Sequence, residues 1–296
     1  MKLLLFGANG QVGWELQRSL APLGELICLS RASTEYCGDF LNPTGLAQAV
    51  RSIKPDVVIN AVAYTAVDKA ESNIANAYTV NADAPGAIAQ AAHAVGARLI
   101  HYSTDYVFNG SGTTPWDEAD TPCPLSVYGA SKLQGEQEIS ASSVRYLIFR
   151  TSWVYAARGG NFAKTMLRLA KERDTLSIIN DQTGAPTGAD LLADITAHSI
   201  IRLIASDQLS GTYHLAAEGE TTWHGYAQHV FAQARLLGVD LKCKAENVTA
   251  IPTSAYPTPA QRPLNSRLDC GKLKLQLLLR LPHWQIGVNR MLNETL

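Results

Sequence analysis

Two residues one helical turn apart carry the most direct chemistry in this 296-residue chain: Tyr128 and Lys132, in the run Tyr128-Gly129-Ala130-Ser131-Lys132. Their i, i+4 spacing puts both side chains on one face of a helix. A phenol beside an ammonium is an acid–base pair. A free tyrosine titrates near ~10, so proton transfer near neutrality asks for a pKa about three units lower, roughly 4 kcal/mol of preferential stabilisation of the phenolate. A neighbouring ammonium supplies a field of that sign. Taken alone, the spacing also suits an exposed helix with an ordinary Tyr and Lys. Two strand ends favour the chemical reading. Arg98–Ser103 runs into Thr104-Asp105-Tyr106-Val107-Phe108, placing hydroxyls at the carboxyl edge of a sheet, where ligands of open α/β sheets bind. Asp56–Asn60 runs into Ala61-Val62-Ala63-Tyr64-Thr65, small residues that let a ligand lie close.

A second group is built to bind rather than to react. Gly7-Ala8-Asn9-Gly10-Gln11-Val12-Gly13 joins an apolar strand to a helix, the context a dinucleotide fingerprint requires. Glycine lets the backbone turn tightly and approach a pyrophosphate, and the helix N-terminus offers unpaired N–H groups and partial positive charge. The spacing is G-x-x-G-x-x-G rather than G-x-G-x-x-G, and a purely structural βα turn is the competing reading. At the end of the second strand, where an NAD-preferring unit usually places an acid, the chain reads Leu29-Ser30-Arg31. A hydroxyl followed by a guanidinium suits a 2′-phosphate, so NADPH is expected ahead of NADH, with NADH usable. The alternative is a solvated surface arginine. Asp39-Phe40 either flanks the adenine or is a polar turn residue beside a core Phe.

These residues need a scaffold, and the apolar pattern describes one. Lys2–Phe6, Glu25–Leu29, Asp56–Asn60, Arg98–Ser103 and Arg145–Arg150 read as strands buried on both faces, because they do not alternate apolar with polar. Between them lie helical patterns at Val12–Ala21, Pro43–Ile53, Ala70–Val95 and Ser126–Ser140. The series is βαβ, hence an α/β fold with a doubly wound parallel sheet, Rossmann-like, and a smaller discontinuous C-terminal lobe. Residues 1–150 are expected to form the nucleotide-binding domain, and 151–296 mainly a substrate lobe with some elements returning to the sheet. In that second half Leu176–Asn180 and Gly211–Ala216 read as strands, and Asn161–Lys171, Gly188–Ile204 and Thr222–Leu236 as helices. Ile251–Pro263, with four of the 13 prolines, reads as extended chain over a surface.

Composition removes other classes. With 25 Lys plus Arg against 26 Asp plus Glu, a net charge of -1 and 46% hydrophobic residues, neither a nucleic-acid partner nor a disordered tail is expected. No apolar run approaches the ~18 residues a membrane span needs, and Gly7 closes the first run well short of a signal peptide. Five widely spaced cysteines without C-x-x-C suggest neither a disulfide framework nor a zinc site, so a cytoplasmic location fits best.

The glycine turn, the Ser-Thr-Asp-Tyr-Val-Phe segment and Y-G-x-S-K together resemble the extended short-chain dehydrogenase/reductase family. Ala66-Val67-Asp68-Lys69-Ala70-Glu71, Phe149-Arg150-Thr151-Ser152-Trp153-Val154-Tyr155, Asn180-Asp181-Gln182 with Gly184-Ala185-Pro186-Thr187, and Arg262-Pro263-Leu264-Asn265-Ser266 are similar to one branch of it. That branch reduces dTDP-4-dehydro-L-rhamnose to dTDP-L-rhamnose for cell-surface polysaccharide such as O-antigen lipopolysaccharide. The resemblance implies that Tyr128 is the general acid toward the C4 oxygen, that Lys132 holds the nicotinamide ribose and lowers the tyrosine pKa, and that Thr104 hydrogen-bonds the carbonyl. It implies cofactor contacts from Gly7, Gly10, Gln11, Val12, Gly13, Ser30, Arg31, Asp39, Phe40, Ala63, Tyr64, Thr65 and Tyr102, alongside Tyr128 and Lys132. Asp105 would contact the sugar, Trp153 would pack on it and Arg262 would meet the diphosphate. Relatives also imply a homodimer with Mg²⁺ near the interface, for which Glu15 and Asp190 fall at the matching motifs. Three rivals remain: a reductase of another nucleotide-4-keto-6-deoxysugar, for instance one giving 6-deoxytalose, a non-catalytic NADP-binding regulatory subunit, and a plain structural Rossmann module that binds no cofactor.

Overall fold

The computed structural model describes residues 1–296, apart from the side chain of Asp207. The chain alternates β1 (Lys2–Phe6), α1 (Gln11–Leu20), β2 (Glu25–Leu29), α2 (Pro43–Ile53) and β3 (Val57–Asn60). It continues through α3 (Val67–Ala70), α4 (Ile74–Tyr78), α5 (Ala84–Ala94), β4 (Arg98–Thr104), α6 (Val127–Ala141) and β5 (Arg145–Thr151). The second half adds β6 (Val154–Tyr155), α7 (Phe162–Glu172), β7 (Leu176–Ile179), β8 (Thr183–Gly184), β9 (Thr187–Gly188), α8 (Ala189–Ala205) and β10 (Gly211–His214). It ends with β11 (Thr221–Thr222), α9 (Trp223–Leu236), β12 (Val248–Ile251), α10 (Gly271–Leu277) and α11 (Trp284–Thr295).

Six parallel strands form the central sheet in the order β2-β1-β3-β4-β5-β10. Apolar runs make this possible, since successive residues serve opposite faces. Leu3, Leu5, Val57, Ile59, Ile100, Leu147 and Phe149 pack under Leu16 and Leu20 of α1 and Leu192 and Ile200 of α8. Leu4, Phe6, Val58, Leu99 and Ile148 pack under Leu46 and Val50 of α2, Ile88 of α5 and Ile139 of α6. The result is an α/β three-layer, doubly wound sheet. The order in which successive strands are added reverses between β1 and β3, so a crevice opens at their carboxyl ends. A third core, with Tyr155, Leu167, Ile178, Tyr226, Phe231, Val248, Trp284 and Val288, belongs to the C-terminal lobe. Helix α8 and strand β10 return from that half to the sheet.

Two expectations need correction. β2 is not buried on both faces: it is an edge strand with Glu25 and Cys28 exposed, because the covering helices do not extend over the sheet's end. The single helical pattern at 70–95 is interrupted. A π turn at Thr79–Asp83 inserts between α4 and α5, just before Pro85, whose missing N–H suits a helix start. The pattern reading also passed over β12, α10 and α11.

Candidate active site

The crevice beside β1 is shaped by glycine. Gly7 has φ +87°, and a Cβ there would stand 2.8 Å from Val62 Cγ2. A Cβ on Gly13 would stand 2.0 Å from the Gly7 carbonyl oxygen, so only glycine lets α1 sit this close to the turn. Helix α1 begins after Gly10 with no side-chain cap and no acid in its first turn. Its first amides therefore lack intrahelical acceptors and carry the positive end of the helix dipole. A cleft of about 440 Å³ lies in front, lined by Gly7, Gly10, Ser30, Arg31, Asp39, Phe40, Ala63 and Tyr64. Gln11, the first residue of α1, has its Nε2 3.4 Å from the Gly160 carbonyl and its buried Oε1 without a partner. A pre-turned backbone, free amides and an exposed guanidinium fit a dinucleotide phosphate chain.

The residues expected to bind cofactor hold different stations around this cleft. Arg31 is 77% exposed at its side chain, with Nε 3.6 Å from Asp39 Oδ2. Asp39 accepts from the Leu41 amide, and Phe40 is both a cleft wall and a core residue, edge-on to Phe6 at 5.7 Å. Val12 turns toward the core beneath α1, and Thr65 is exposed beyond the cleft. The Tyr102 phenol points away, 2.6 Å from Thr196 Oγ1, so Tyr102 faces the site through its carbonyl.

Helix α6 brings the acid–base pair to the carboxyl end of β4. Ser126 caps it by accepting from the Gly129 amide, and Glu71 accepts from the Val127 amide. Small residues then allow close contact: a Cβ on Gly129 would lie 2.2 Å from the Tyr106 carbonyl oxygen, and one on Gly135 2.0 Å from that of Asn81. Asn81, in the π turn, accepts from the Tyr64 amide and donates to Ser131, tying the cofactor cleft to α6. Lys132 is consequently 1% exposed, donating to the Tyr102 carbonyl at 2.6 Å and 3.0 Å from His101 Nε2. Burial lowers it to about 8, opposed by Glu136.

Tyr128 is pushed up to about 12 by burial, with a hydrogen bond to Thr104 working against this and Asp105 adding to it. The lowering expected from Lys132 is therefore not present in the protein alone, because the amine is turned to His101 and Tyr102. Thr104 donates to Asp105 Oδ1 at 3.1 Å and accepts from the Tyr106 amide. Asp105 is raised to about 7 by burial, despite hydrogen bonds from Ser266 and Thr104, and its Oδ2 has no partner. Thus buried Thr104 and Asp105 and half-buried Tyr128 form one cluster, in which burial raises both the carboxyl and the phenol.

The C-terminal half supplies the opposite wall. Arg262 donates to Asp68 at 2.9 Å and approaches Tyr106, so it borders the cluster. Trp153, at φ +49°, follows β5 and stacks on Trp223 with ring centroids 3.6 Å apart. That backbone region is uncommon for a bulky residue and fixes the indole beside Gly184. Trp223 in turn donates to Gln182 at 3.0 Å. His101, Asn60, Asn81 and Trp223 were given no role from the sequence, and Ser266 appeared there only as the end of the run from Arg262. Only His101, polar in the middle of an apolar strand, left a local signal.

Glu15 and Asp190, expected beside a magnesium ion near a dimer interface, are each engaged within the chain. Each already faces a guanidinium, Glu15 with Arg18 at 3.5 Å and Asp190 with Arg290 at 3.4 Å. A hard cation needs about six oxygen ligands, and among the described residues no group of three His, Cys, Asp or Glu stands ready to hold a metal ion. No helix among them is long and apolar enough to cross a membrane.

Comparison with known proteins agrees with this geometry. The chain matches the family described as RmlD substrate binding domain over residues 1–296. It is 60% identical over 294 residues to a dTDP-4-dehydrorhamnose reductase of Shigella flexneri, covering 99% of this chain and 98% of the relative. It is 47% identical over 300 residues to one from Burkholderia thailandensis, covering 100% and 99%. Among solved structures, a dTDP-4-dehydrorhamnose reductase from Bacillus anthracis, in complex with NADP, superposes with a TM-score of 0.87 at 36% identity, covering 100% of both chains. One from Clostridium acetobutylicum gives 0.88 at 36% identity, covering 99% of both. A glycine-shaped cleft at the carboxyl edge of the sheet, tied through Asn81 to the helix that carries Tyr128 and Lys132, stands in a chain alike over its whole length to these relatives, and this protein belongs to the RmlD substrate-binding-domain family of extended short-chain dehydrogenases/reductases.

Proposed function

We propose that this protein reduces the C4 ketone of dTDP-4-dehydro-L-rhamnose to dTDP-L-rhamnose with NADPH, for cell-surface polysaccharide synthesis. The observation that carries this reading is the cluster of half-buried Tyr128 with buried Thr104 and Asp105, on and beside the Lys132 helix that Asn81 ties to Tyr64 of the glycine-shaped cleft. NADPH supplies the hydride to C4. The first amides of α1 hold its pyrophosphate, and Arg31 with Ser30 meets the 2′-phosphate. Lys132 directs its remaining N–H toward the nicotinamide ribose. Tyr128, its phenol kept protonated by burial, donates to the ketone oxygen as the alkoxide forms. Thr104 orients that phenol and Asp105 Oδ2 meets a sugar hydroxyl. Trp153 offers its face to the deoxysugar and Arg262 meets the diphosphate.

Residues 1–150 serve as the cofactor domain and 151–296 mainly as the sugar lobe. A homodimer in the cytoplasm completes the reading, supported by exposed Trp14 and Ile286 and by five free cysteines. Supplying enzymatically generated dTDP-4-dehydro-L-rhamnose with NADPH and identifying the product by NMR tests it. dTDP-L-rhamnose is expected. The 6-deoxytalose epimer would reassign the sugar's orientation, and tight NADPH binding without turnover would point to a regulatory subunit.

A further inference from the structure

Behind Lys132 lies a buried chain of polar groups with no role in the scheme above, and the direction of its hydrogen bonds can be worked out from one fixed point. The backbone N–H of Val62 can only donate, and it stands 2.9 Å from Asn60 Oδ1. The other end of that amide is therefore its NH₂, 3.0 Å from His101 Nδ1, which must accept. A neutral imidazole that accepts at Nδ1 carries its proton at Nε2. That nitrogen is 3.0 Å from Lys132 Nζ. An ammonium has three donors and no acceptor, so a charged Lys132 would turn an N–H against an N–H. A neutral amine would instead accept from His101 and still donate to the Tyr102 carbonyl.

We propose that Asn60 and His101 are positioning residues: Asn60 fixes His101 as its Nε2–H tautomer, and this N–H donates to Lys132 Nζ and opposes the ammonium form. Asn60 and His101 are 1% and 0% exposed, so water does not relieve the conflict. A doubly protonated His101 offers no escape, since it would set Nδ1–H against the Asn60 NH₂ and place a second cation beside Lys132 in a fully buried site. The charged groups around Lys132 do not rescue the ammonium either. Glu136, one turn further along α6, favours it, but that carboxylate is held by Arg150 of β5 at 2.6 Å. Toward the substrate stand Tyr128 and Asp105, both pushed up by burial.

The consequence for catalysis rests on the role given to Lys132 under the proposed function. Once Tyr128 has given its proton to the ketone oxygen, the phenolate must regain one. A proton that leaves Nζ and reaches the phenolate oxygen leaves a neutral amine, whose lone pair takes up the His101 Nε2–H. The network thus favours the neutral amine that this transfer leaves behind, and so the product side of Tyr128 reprotonation.

The test reads protonation directly, in cofactor-free protein, so it does not depend on the assigned reaction. Lysine labelled with ¹³C at Cε follows Lys132, identified by loss of its signal in Lys132→Met. Histidine labelled with ¹⁵N reports the His101 tautomer, identified with His101→Gln. The expected results are an Nε2–H tautomer and a Lys132 titration lowered to about 8, against an ordinary lysine near ~10.4. Asn60→Leu, similar in size and uncharged, removes the donor to Nδ1 and releases the tautomer. Lys132 should then titrate higher by about one unit or more, whereas added apolar surroundings alone would move it down. An Nδ1–H tautomer in the natural protein, or an unshifted Lys132 in Asn60→Leu, overturns the proposal. If Asn60→Leu does not fold, the tautomer of the natural protein decides.

Discussion

Replacing Gly129 by alanine adds one methyl group between α6 and the turn that holds Tyr106, and the structure gives the size of the disturbance. The new Cβ would stand 2.2 Å from the Tyr106 carbonyl oxygen, where ordinary contact begins at 3.4 Å, so helix and turn must part by about 1 Å. The obstacle is backbone, which cannot swing aside as a flexible side chain would. Helix α6 carries Tyr128 and Lys132, while the turn carries Thr104 and Asp105, so the displacement opens the cluster to which the proposed reduction assigns proton transfer. A misplacement of about 1 Å can cost on the order of 10²-fold in rate. The assay follows NADPH oxidation with dTDP-4-dehydro-L-rhamnose, with NADPH affinity and thermal unfolding measured alongside. Gly160→Ala is the control, because a Cβ there meets nothing within 4 Å. A fall in kcat of about 10²-fold, in a variant that still folds and binds NADPH, is the expected outcome. A kcat within about threefold of the natural protein would refute the claim that this contact sets the geometry of the cluster.

Other residues give separate expectations. Glu136 and Arg150 form an ion pair with both side chains 6% exposed. Glu136→Gln leaves a buried guanidinium uncompensated and should cost about 3–5 kcal/mol in denaturant unfolding; a change under about 1 kcal/mol would contradict this. Arg31→Ala should lower the ratio of NADPH to NADH efficiency about tenfold, from loss of one charge-assisted contact to the 2′-phosphate. An unchanged ratio would return Arg31 to the solvated surface. For Asp105, burial raises the folded-state pKa from 3.8 to about 7, so folding takes up a proton between those values. Stability contributed by this residue falls as pH rises through that window. Asp105→Asn should therefore be more stable than the natural protein by a few kcal/mol at pH 8, on the order set by that shift, and show little gain at pH 4. Equal gain at both pH values would show that the titration is not the cause.

Much of the scaffold could be read because burial on both sheet faces leaves a plain mark. Lys2–Phe6 and Pro43–Ile53 are found where the pattern put them. The same rule misled at Glu25–Leu29, since position at the sheet edge is a property of the whole topology and not of five residues. The break at Thr79–Asp83 was also hidden: Asn81 abandons regular helix geometry to bond Tyr64 and Ser131, groups far away in sequence. Residues of the candidate site divide in the same way. Gly7, Gly13, Tyr128 and Lys132 announce themselves by spacing. Trp223 meets Trp153 only because two distant segments of the C-terminal half fold together, and Asn60 meets His101 only across neighbouring strands β3 and β4. The tyrosine's raised pKa likewise depends on three-dimensional burial, which the Y-x-x-x-K spacing does not encode.

The central claim is that Tyr128 protonates the C4 oxygen while hydride arrives at C4 from a cofactor in the glycine-shaped cleft. A single turnover with NADPH carrying deuterium on its transferable position, read by NMR of the sugar product, tests it most directly when run beside Tyr128→Phe. One deuteron at C4 of dTDP-L-rhamnose is predicted for the natural protein, with transfer slowed by at least about 10²-fold in Tyr128→Phe at unchanged NADPH affinity. Deuterium elsewhere in the sugar, or undiminished transfer in Tyr128→Phe, would contradict it.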